Sequence, residues 1–172
     1  MMRGILSKML CRILPVPWVQ PILTSNTSDP NFQVWRWLEG GGALEGYDAW
    51  GAFSGQNTPT NAYHDERWCA MNIGMWSSDP LTVTGYTFYQ NSGWGSEFGA
   101  AKRSQFYGSN DGNNWVQITG CEGPGNGWLT HNFDNTVPYN YFRLRIETGG
   151  YGKADKLMIA FVSLTATYED FI

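Results

Sequence analysis

The segment Ser109-Asn110-Asp111-Gly112-Asn113-Asn114-Trp115 constrains this chain more than any other, because it joins two alternating runs, 104–107 and 115–118, through Asp-Gly. Asp-Gly supplies the positive φ angles that a tight two-residue hairpin turn needs, and the Trp beyond it suits a strand with one face in a core. A hairpin at this point commits its neighbours to antiparallel sheet. The same period of two recurs at 141–146, where Phe142, Leu144 and Ile146 alternate with Tyr141, Arg143 and Arg145. It returns at the end of the chain, where Val162, Leu164, Ala166 and Tyr168 share one face. Gly85, between Val83 and Tyr86, shifts the phase by one residue and predicts a bulge or bend.

Runs at 32–37, 71–76, 81–89, 102–107, 115–118, 128–133, 141–146 and 158–168 predict about eight antiparallel strands, enough for a two-sheet sandwich. A length of 172 residues holds one domain with a sizeable core and leaves no room for a second. Charged residues make up only 15% of the chain while glycine occurs 21 times, which suits an all-β protein rich in turns. No apolar run reaches the length of a membrane span. The net charge of −4 provides no basic field for phosphate backbones, so the composition points away from nucleic acid and toward neutral ligands or protein partners.

The chain divides near Pro15-Val16-Pro17 into a tail, residues 1–20, and a sandwich, residues 21–172. Ile5, Met9 and Ile13 recur every fourth residue with Leu6 and Leu10 beside them, and Arg3, Lys8 and Arg12 supply the polar side of a short amphipathic helix stopped by Pro15. That pattern suits a docking or anchoring tail. A secretory signal is the rival reading, opposed by Lys8 and Arg12 inside its would-be apolar stretch, and a disordered leader is the third. The three cysteines, Cys11, Cys69 and Cys121, form no Cys-x-x-Cys pair, which points away from zinc and toward free thiols in a reducing compartment.

Several motifs in order resemble one family. They are Pro21-Ile22-Leu23-Thr24-Ser25-Asn26, Ala49-Trp50-Gly51-Ala52-Phe53-Ser54-Gly55, Leu81-Thr82-Val83-Thr84-Gly85-Tyr86-Thr87-Phe88, the stretch Phe106-Tyr107-Gly108 running into the hairpin, and Tyr141-Phe142-Arg143-Leu144. Together they resemble the discoidin family, the coagulation factor V/VIII type C domains, whose bacterial relatives include family 32 carbohydrate-binding modules. The resemblance runs from about residue 21 to 168. It implies a single galactose-binding-domain-like jelly-roll β-sandwich acting as a non-catalytic binding or adhesion module, with a cell-surface glycan as partner. The opening motif resembles modules of phage tail proteins, which implies a virion component anchored to other virion proteins through the tail, with a homo-oligomer as one arrangement. Alternatives are a structural virion protein binding no sugar and a secreted, extracellular or cell-surface bacterial module.

Two positions depart from the family. Ser54 stands where an Asp is usual, and Phe161 opens the closing strand Phe161-Val162-Ser163-Leu164-Thr165 where a Glu is usual. Many relatives hold calcium with those carboxylates, so no metal and no cofactor is expected here, with Asp48, or Asn57 plus main-chain oxygens, as the fallback calcium ligands. Animal relatives staple their termini with a disulfide, which the absence of any cysteine after Cys121 removes.

By the same resemblance, ligands meet loops 38–48, 91–101 and 149–156. Tyr47, Trp94, Phe98 and Tyr151 lie in these glycine-bearing segments, and a large aromatic on such a loop suggests a contact surface. A pyranose offers a face of C–H groups to an aromatic ring and needs hydrogen-bonding groups at its rim. Trp94 is the stacking candidate, and His64, Asp65, Glu66 and Arg67 are candidates for the rim. An Arg67–Glu66 surface ion pair and a solvated His64 explain the same residues without a ligand, and both readings stay open. The ligand-binding set is thus Tyr47, His64, Arg67, Trp94, Phe98 and Tyr151.

Of Trp35, Trp37, Trp50, Trp68, Trp76 and Trp115, about four are expected in the core, as large rings on strands usually are. Arg143 is expected to serve the structure. Catalysis finds no support: His64 and His131 sit in no HExxH motif, and GxSxG, P-loop and dinucleotide fingerprints are missing. The carboxylates Glu39, Glu45, Glu66 and Glu97 serve glycoside hydrolysis only if two of them come within about 5–10 Å.

Overall fold

The computed structural model describes residues 13–39, 48–55, 60–63, 70–90, 101–148 and 156–171. Nine strands run through these residues: β1 (Ile13–Pro17), β2 (Phe32–Leu38), β3 (Thr60–Tyr63), β4 (Ala70–Gln90), β5 (Ala101–Ser109), β6 (Val116–Gly125), β7 (Gly127–Asn132), β8 (Tyr139–Thr148) and β9 (Lys156–Phe171). Every pairing between them is antiparallel. The runs expected at 71–76 and 81–89 are the two arms of one bent strand, β4. Its first arm pairs with β2 and β8, and its second with β9 and β7, the register slipping between Trp76 and Leu81. One sheet therefore holds β2, the first arm of β4, β8, β5 and β6, and the other holds β1 and β3 on β9, then the second arm of β4 and β7. Among the described residues no helix is long and apolar enough to cross a membrane.

Period-two alternation places the core between these layers. Phe142, Leu144 and Ile146 of β8 are fully buried, as are Met71, Ile73 and Met75 of the first arm of β4. From the other sheet come Val83, Tyr86 and Phe88, with Val162, Leu164 and Ala166 of β9 beside them. Tyr86 stacks on Phe106 at 5.4 Å between centroids, and Phe106 on Phe142 at 5.8 Å, so one aromatic column spans both sheets. The Tyr86 hydroxyl ends this column in a 2.8 Å hydrogen bond with Ser104 Oγ, which satisfies a polar group that burial would otherwise penalise. Burial pushes that phenol's pKa upward. Gly85 marks a slip in the β4–β9 register as expected, and a Cβ there would sit 2.6 Å from Asn132 Oδ1 on β7.

The start of the sandwich differs from the sequence reading. Residues 13–17 form an edge strand, Val16 facing Tyr168, where the missing N–H groups of Pro15 and Pro17 leave no central ladder broken. Trp18 N–H then donates to Ala166 O at 2.9 Å, and Gln20 bridges β9 by donating to Val162 O and accepting from Leu164 N–H. Residues 13–20 thus sit in the sandwich rather than in a separate tail, and Ile13 is strand rather than helix. Residues 1–12 and the amphipathic helix expected there lie outside the described residues, as do Cys11 and Cys69. Cys121 is a free thiol beside Tyr86 and Ser104.

The hairpin also forms, but with a wider connection than two residues. Gly108 pairs with Val116, leaving 110–115 as the link. The Asp111 carboxylate sets this width. It accepts from the backbone N–H groups of Asn113 and Asn114 at 2.8 and 2.7 Å, from Asn114 Nδ2 at 2.6 Å and from Ser109 Oγ at 3.0 Å. Such local side-chain bonds are the usual way an Asp organises a turn, and Gly112 supplies the positive φ of 73° the path requires. The backbone N–H of Asn114, first among these donors, holds the carboxyl well below its ordinary value of 3.8. A lowered carboxylate pKa means the folded form favours the charged state, so the stabilisation is complete above the ordinary value and disappears as pH falls toward the lowered one. Asp111→Ala is therefore expected to lower the melting temperature by a few degrees at neutral pH. Its deficit against the parent should shrink in melts run progressively below pH 3.8.

Candidate functional site

One end of the sandwich gathers described flanks of the segments that carried the predicted ligand residues. At that end Leu38 faces Met71, and the Glu39 N–H donates to Ala70 O at 3.1 Å. Ala70 faces Glu147, and Ala101 faces both Thr148 and Gly125. The Ala101 N–H donates to the buried Gln90 side chain, closing the base of segment 91–100. Gln90 in turn faces Gly127 and Ile159, and Lys156 faces Tyr63. The flanks of 64–69, 91–100 and 149–155 are thus neighbours, with the departure of 40–47 beside them. Tyr47, His64, Arg67, Trp94, Phe98 and Tyr151 all belong to these four segments and lie outside the described residues. The Asp111 hairpin, the bend of β4 at 77–80 and residues 133–138 occupy the opposite end.

An ion-pair clamp fixes the rim where β2 ends. Glu39 Oε1 accepts from Arg145 Nε at 2.8 Å, its Oε2 from Arg145 Nη2 at 2.7 Å, and Arg143 Nη2 joins it. Arg145 also donates to Gln105 Oε1 at 2.6 Å and pairs with Glu147, which Arg103 holds from the other side at 2.7 Å. Arg143 Nε donates to Asn72 Oδ1 at 2.6 Å, and its guanidinium lies 4.9 Å from the Tyr107 ring and 5.6 Å from that of Trp37. Arg143 is structural, as expected. The hydrogen bond from Arg145 is the largest cause that lowers the Glu39 pKa below 4.5. Glu39 is consequently committed as a counter-ion, and the other acids weighed for hydrolysis, Glu45, Glu66 and Glu97, lie outside the described residues.

Alternation, which predicted the core correctly, also corrects the reading of the tryptophans. Trp35 and Trp37 of β2 and Trp76 of β4 lie on the face opposite to Val34, Leu38, Ile73 and Met75, and are half-buried on the outside of the sheet. Trp50 packs against the core from a 3-10 turn (Ala49–Phe53), Trp115 is half-buried, and Trp68 lies outside the described residues. Four tryptophans in the core is therefore too many, because parity within a strand decides side and ring size does not. The outward placement of Arg143 and Arg145 was legible, but the clamp was not, because its partners, Glu39 just after β2 and Asn72 of β4, are distant in sequence and carried no local signal.

The residues present do not fit a calcium ion built on the family's carboxylate positions. Ser54 Oγ donates to Gly51 O at 2.9 Å, Asp48 Oδ1 accepts from Ala49 N–H at 2.7 Å and lies 3.6 Å from Arg36 Nε, and the Phe161 ring packs on Trp128. Among the described residues no group of three or more His, Cys, Asp or Glu side chains is placed to hold a metal.

No family model matches the chain, and no curated protein does. Solved structures do. The chain resembles the module CpGH89CBM32-5 from Clostridium perfringens, in complex with GalNAc-beta-1,3-galactose, at 20% identity and a TM-score of 0.61, covering 79% of this chain and 96% of that one. It resembles the family 32 carbohydrate-binding module of C. perfringens NanJ, in complex with galactose, at 13% identity and a TM-score of 0.57, covering 80% and 93%. A chitosan-binding module from a Paenibacillus chitosanase/glucanase matches at 16% identity and a TM-score of 0.55, covering 77% and 92%. At these identities the likeness shows the fold, the discoidin-like β-sandwich of family 32 modules, as the motifs implied.

The clamp makes a direct prediction. Glu39→Gln removes the charge shared by Arg143 and Arg145, and the side chain, 35% exposed, is partly screened by solvent. The expected cost is about 1–2 kcal/mol at neutral pH, between that of exposed and buried pairs. Because the Glu39 pKa is lowered, its contribution is complete above pH 4.5 and fades as pH drops below, so denaturation curves of parent and variant should converge in acid.

Proposed function

We propose that the chain is a non-catalytic carbohydrate-binding module that takes its ligand at the loop-bearing end of the sandwich. The observation that carries the reading is the convergence there of the flanks of segments 64–69, 91–100 and 149–155 beside the departure of 40–47, which together contain every predicted ligand residue. The fold supports it, since three sandwiches of the same architecture are described with or as binders of galactose, GalNAc-beta-1,3-galactose or chitosan. In this reading Trp94 stacks on a pyranose face, Phe98, Tyr47 and Tyr151 border it, and His64 and Arg67 hydrogen-bond the hydroxyls.

The finer reading places the module on a phage virion as an adhesin, its N-terminal segment anchoring it to virion proteins. The resemblance of Pro21-Ile22-Leu23-Thr24-Ser25-Asn26 to the opening of phage tail modules supports that setting. With residues 13–20 in the sandwich, anchoring falls to residues 1–12. Many copies on one particle give useful avidity from weak single sites.

The test is a glycan array probed with the protein in multivalent form beside Trp94→Ala. Selective binding that the variant loses, with an unchanged melting temperature, is the expected outcome. Silence across the array with both proteins folded would sink the glycan reading in favour of a structural role through protein contacts.

A further inference from the structure

The outer faces of the two sheets have opposite chemistry. On the face carrying Trp37, the arginines and glutamates neutralise one another in the clamp. On the outside of the other sheet, two consecutive cross-strand rows carry no ionisable charge near neutral pH. One row is Trp128, Tyr89 and Phe161; the next is Thr130, Thr87 and Ser163. The inner positions of these strands are filled by Phe88 and Val162, with Leu129 packed against the core, so the outer aromatics are surplus to it.

Trp128 is 56% exposed, an unusual state for so large a ring. It is nevertheless held in place. Its ring centroid lies 4.9 Å from that of Tyr89 and meets Phe161 edge to face at 5.3 Å. Beneath it the Thr87 and Thr130 hydroxyls sit 3.0 Å apart, each with hydrogen-bonding capacity left for a partner from solvent. Gly127, the residue before Trp128, faces Gln90, the last described residue before the segment that carries Trp94 and Phe98. The patch therefore begins one residue from the loop-bearing end.

We infer that this outer face, Trp128 with Tyr89 and Phe161 above the hydroxyls of Thr87, Thr130 and Ser163, is a second carbohydrate-contact surface that takes inner residues of a neutral glycan chain running off the loop-bearing end. The inference rests on the proposed function for its ligand class. A propped, exposed indole supplies the stacking face, and the adjacent hydroxyl row supplies rim hydrogen bonds. Neither of the two rows carries a cation to meet an acidic glycan, so these rows favour a neutral one. The ligand of the whole module is then a chain several residues long rather than a single terminal sugar.

The experiment is affinity electrophoresis of the full chain through gels containing galactan, β-glucan or xylan as neutral probes and polygalacturonate as the acidic one. Calorimetric titration with galactose and with GalNAc-beta-1,3-galactose runs in parallel. Trp128→Ala should keep the parent's melting temperature and lose roughly five- to tenfold in affinity for a neutral polymer, while its small-sugar titrations stay unchanged. Trp128→Phe should recover part of the loss. Retardation of Trp128→Ala equal to the parent's, retardation of the parent by none of the neutral polymers, or equal retardation by polygalacturonate each overturns the inference. So does a variant whose only change is weaker self-association in sedimentation velocity, which would make the patch a contact between copies of the chain. Failure of the loop site is read separately, from Trp94→Ala retaining small-sugar binding.

Discussion

Everything in this sandwich hangs on the bend of β4. A single strand of 21 residues cannot satisfy its backbone within one flat sheet of this size, so it slips register between Trp76 and Leu81 and lends one arm to each layer. The first arm finds β2 and β8, and the second finds β9 and β7. Because the chain doubles back, Ala70 at its start and Gln90 at its finish lie at the same end, and the segments that flank them are brought there with them. The layers are then sealed by the aromatic column of Tyr86, Phe106 and Phe142, whose hydroxyl end is satisfied across the core by Ser104. Burial of such large rings is the dominant favourable contribution, and the hydrogen bond avoids the penalty of an orphaned phenol.

With both inner faces committed to the core, the outer faces are free to differ, and they do. One is knitted by the clamp around Glu39, in which Arg143 lies near the rings of Trp37 and Tyr107 and ties β2, β4, β8 and β5 together at the rim. Its charges are spent on each other, which suits a brace. The other carries two uncharged rows, one of hydroxyls and one of aromatics in which Trp128 is exposed and Tyr89 and Phe161 are half-buried beside it, next to the loop-bearing end. Bracing on one side leaves the other free of ion pairs among the described residues, a division that suits a rigid scaffold presenting loops.

Legibility in the sequence followed the strength of the local signal. Phe142, Leu144 and Ile146 announced the core, and Gly85 announced a bulge, because period two and its interruption are properties of neighbouring residues. The Asp111 hairpin was legible, yet its width was not. Asp-Gly suggests a two-residue turn, and only the Asp111 carboxylate gathering Asn113 and Asn114 explains the longer link. β1 was hidden by its prolines, which read as a break but are tolerated on an edge strand, and β3 is too short to show a period. The tryptophans were misassigned where bulk was weighed above parity. Of the candidate site, the aromatics and polar residues on loops were visible as types, but the neighbourhood of their flanks depends on pairings between residues as distant as Tyr63 and Lys156.

The central claim is that ligand chemistry belongs to the end where Ala70, Gln90, Ala101, Gly125 and Ile159 meet. Amide chemical-shift mapping during titration with GalNAc-beta-1,3-galactose tests it most directly, since it reads every residue without a substitution. The account predicts saturable shifts concentrated at that end, with Trp128 and Tyr89 joining only when a longer neutral glycan replaces the disaccharide. Saturable shifts centred instead on the Asp111 hairpin and the 77–80 bend would contradict it.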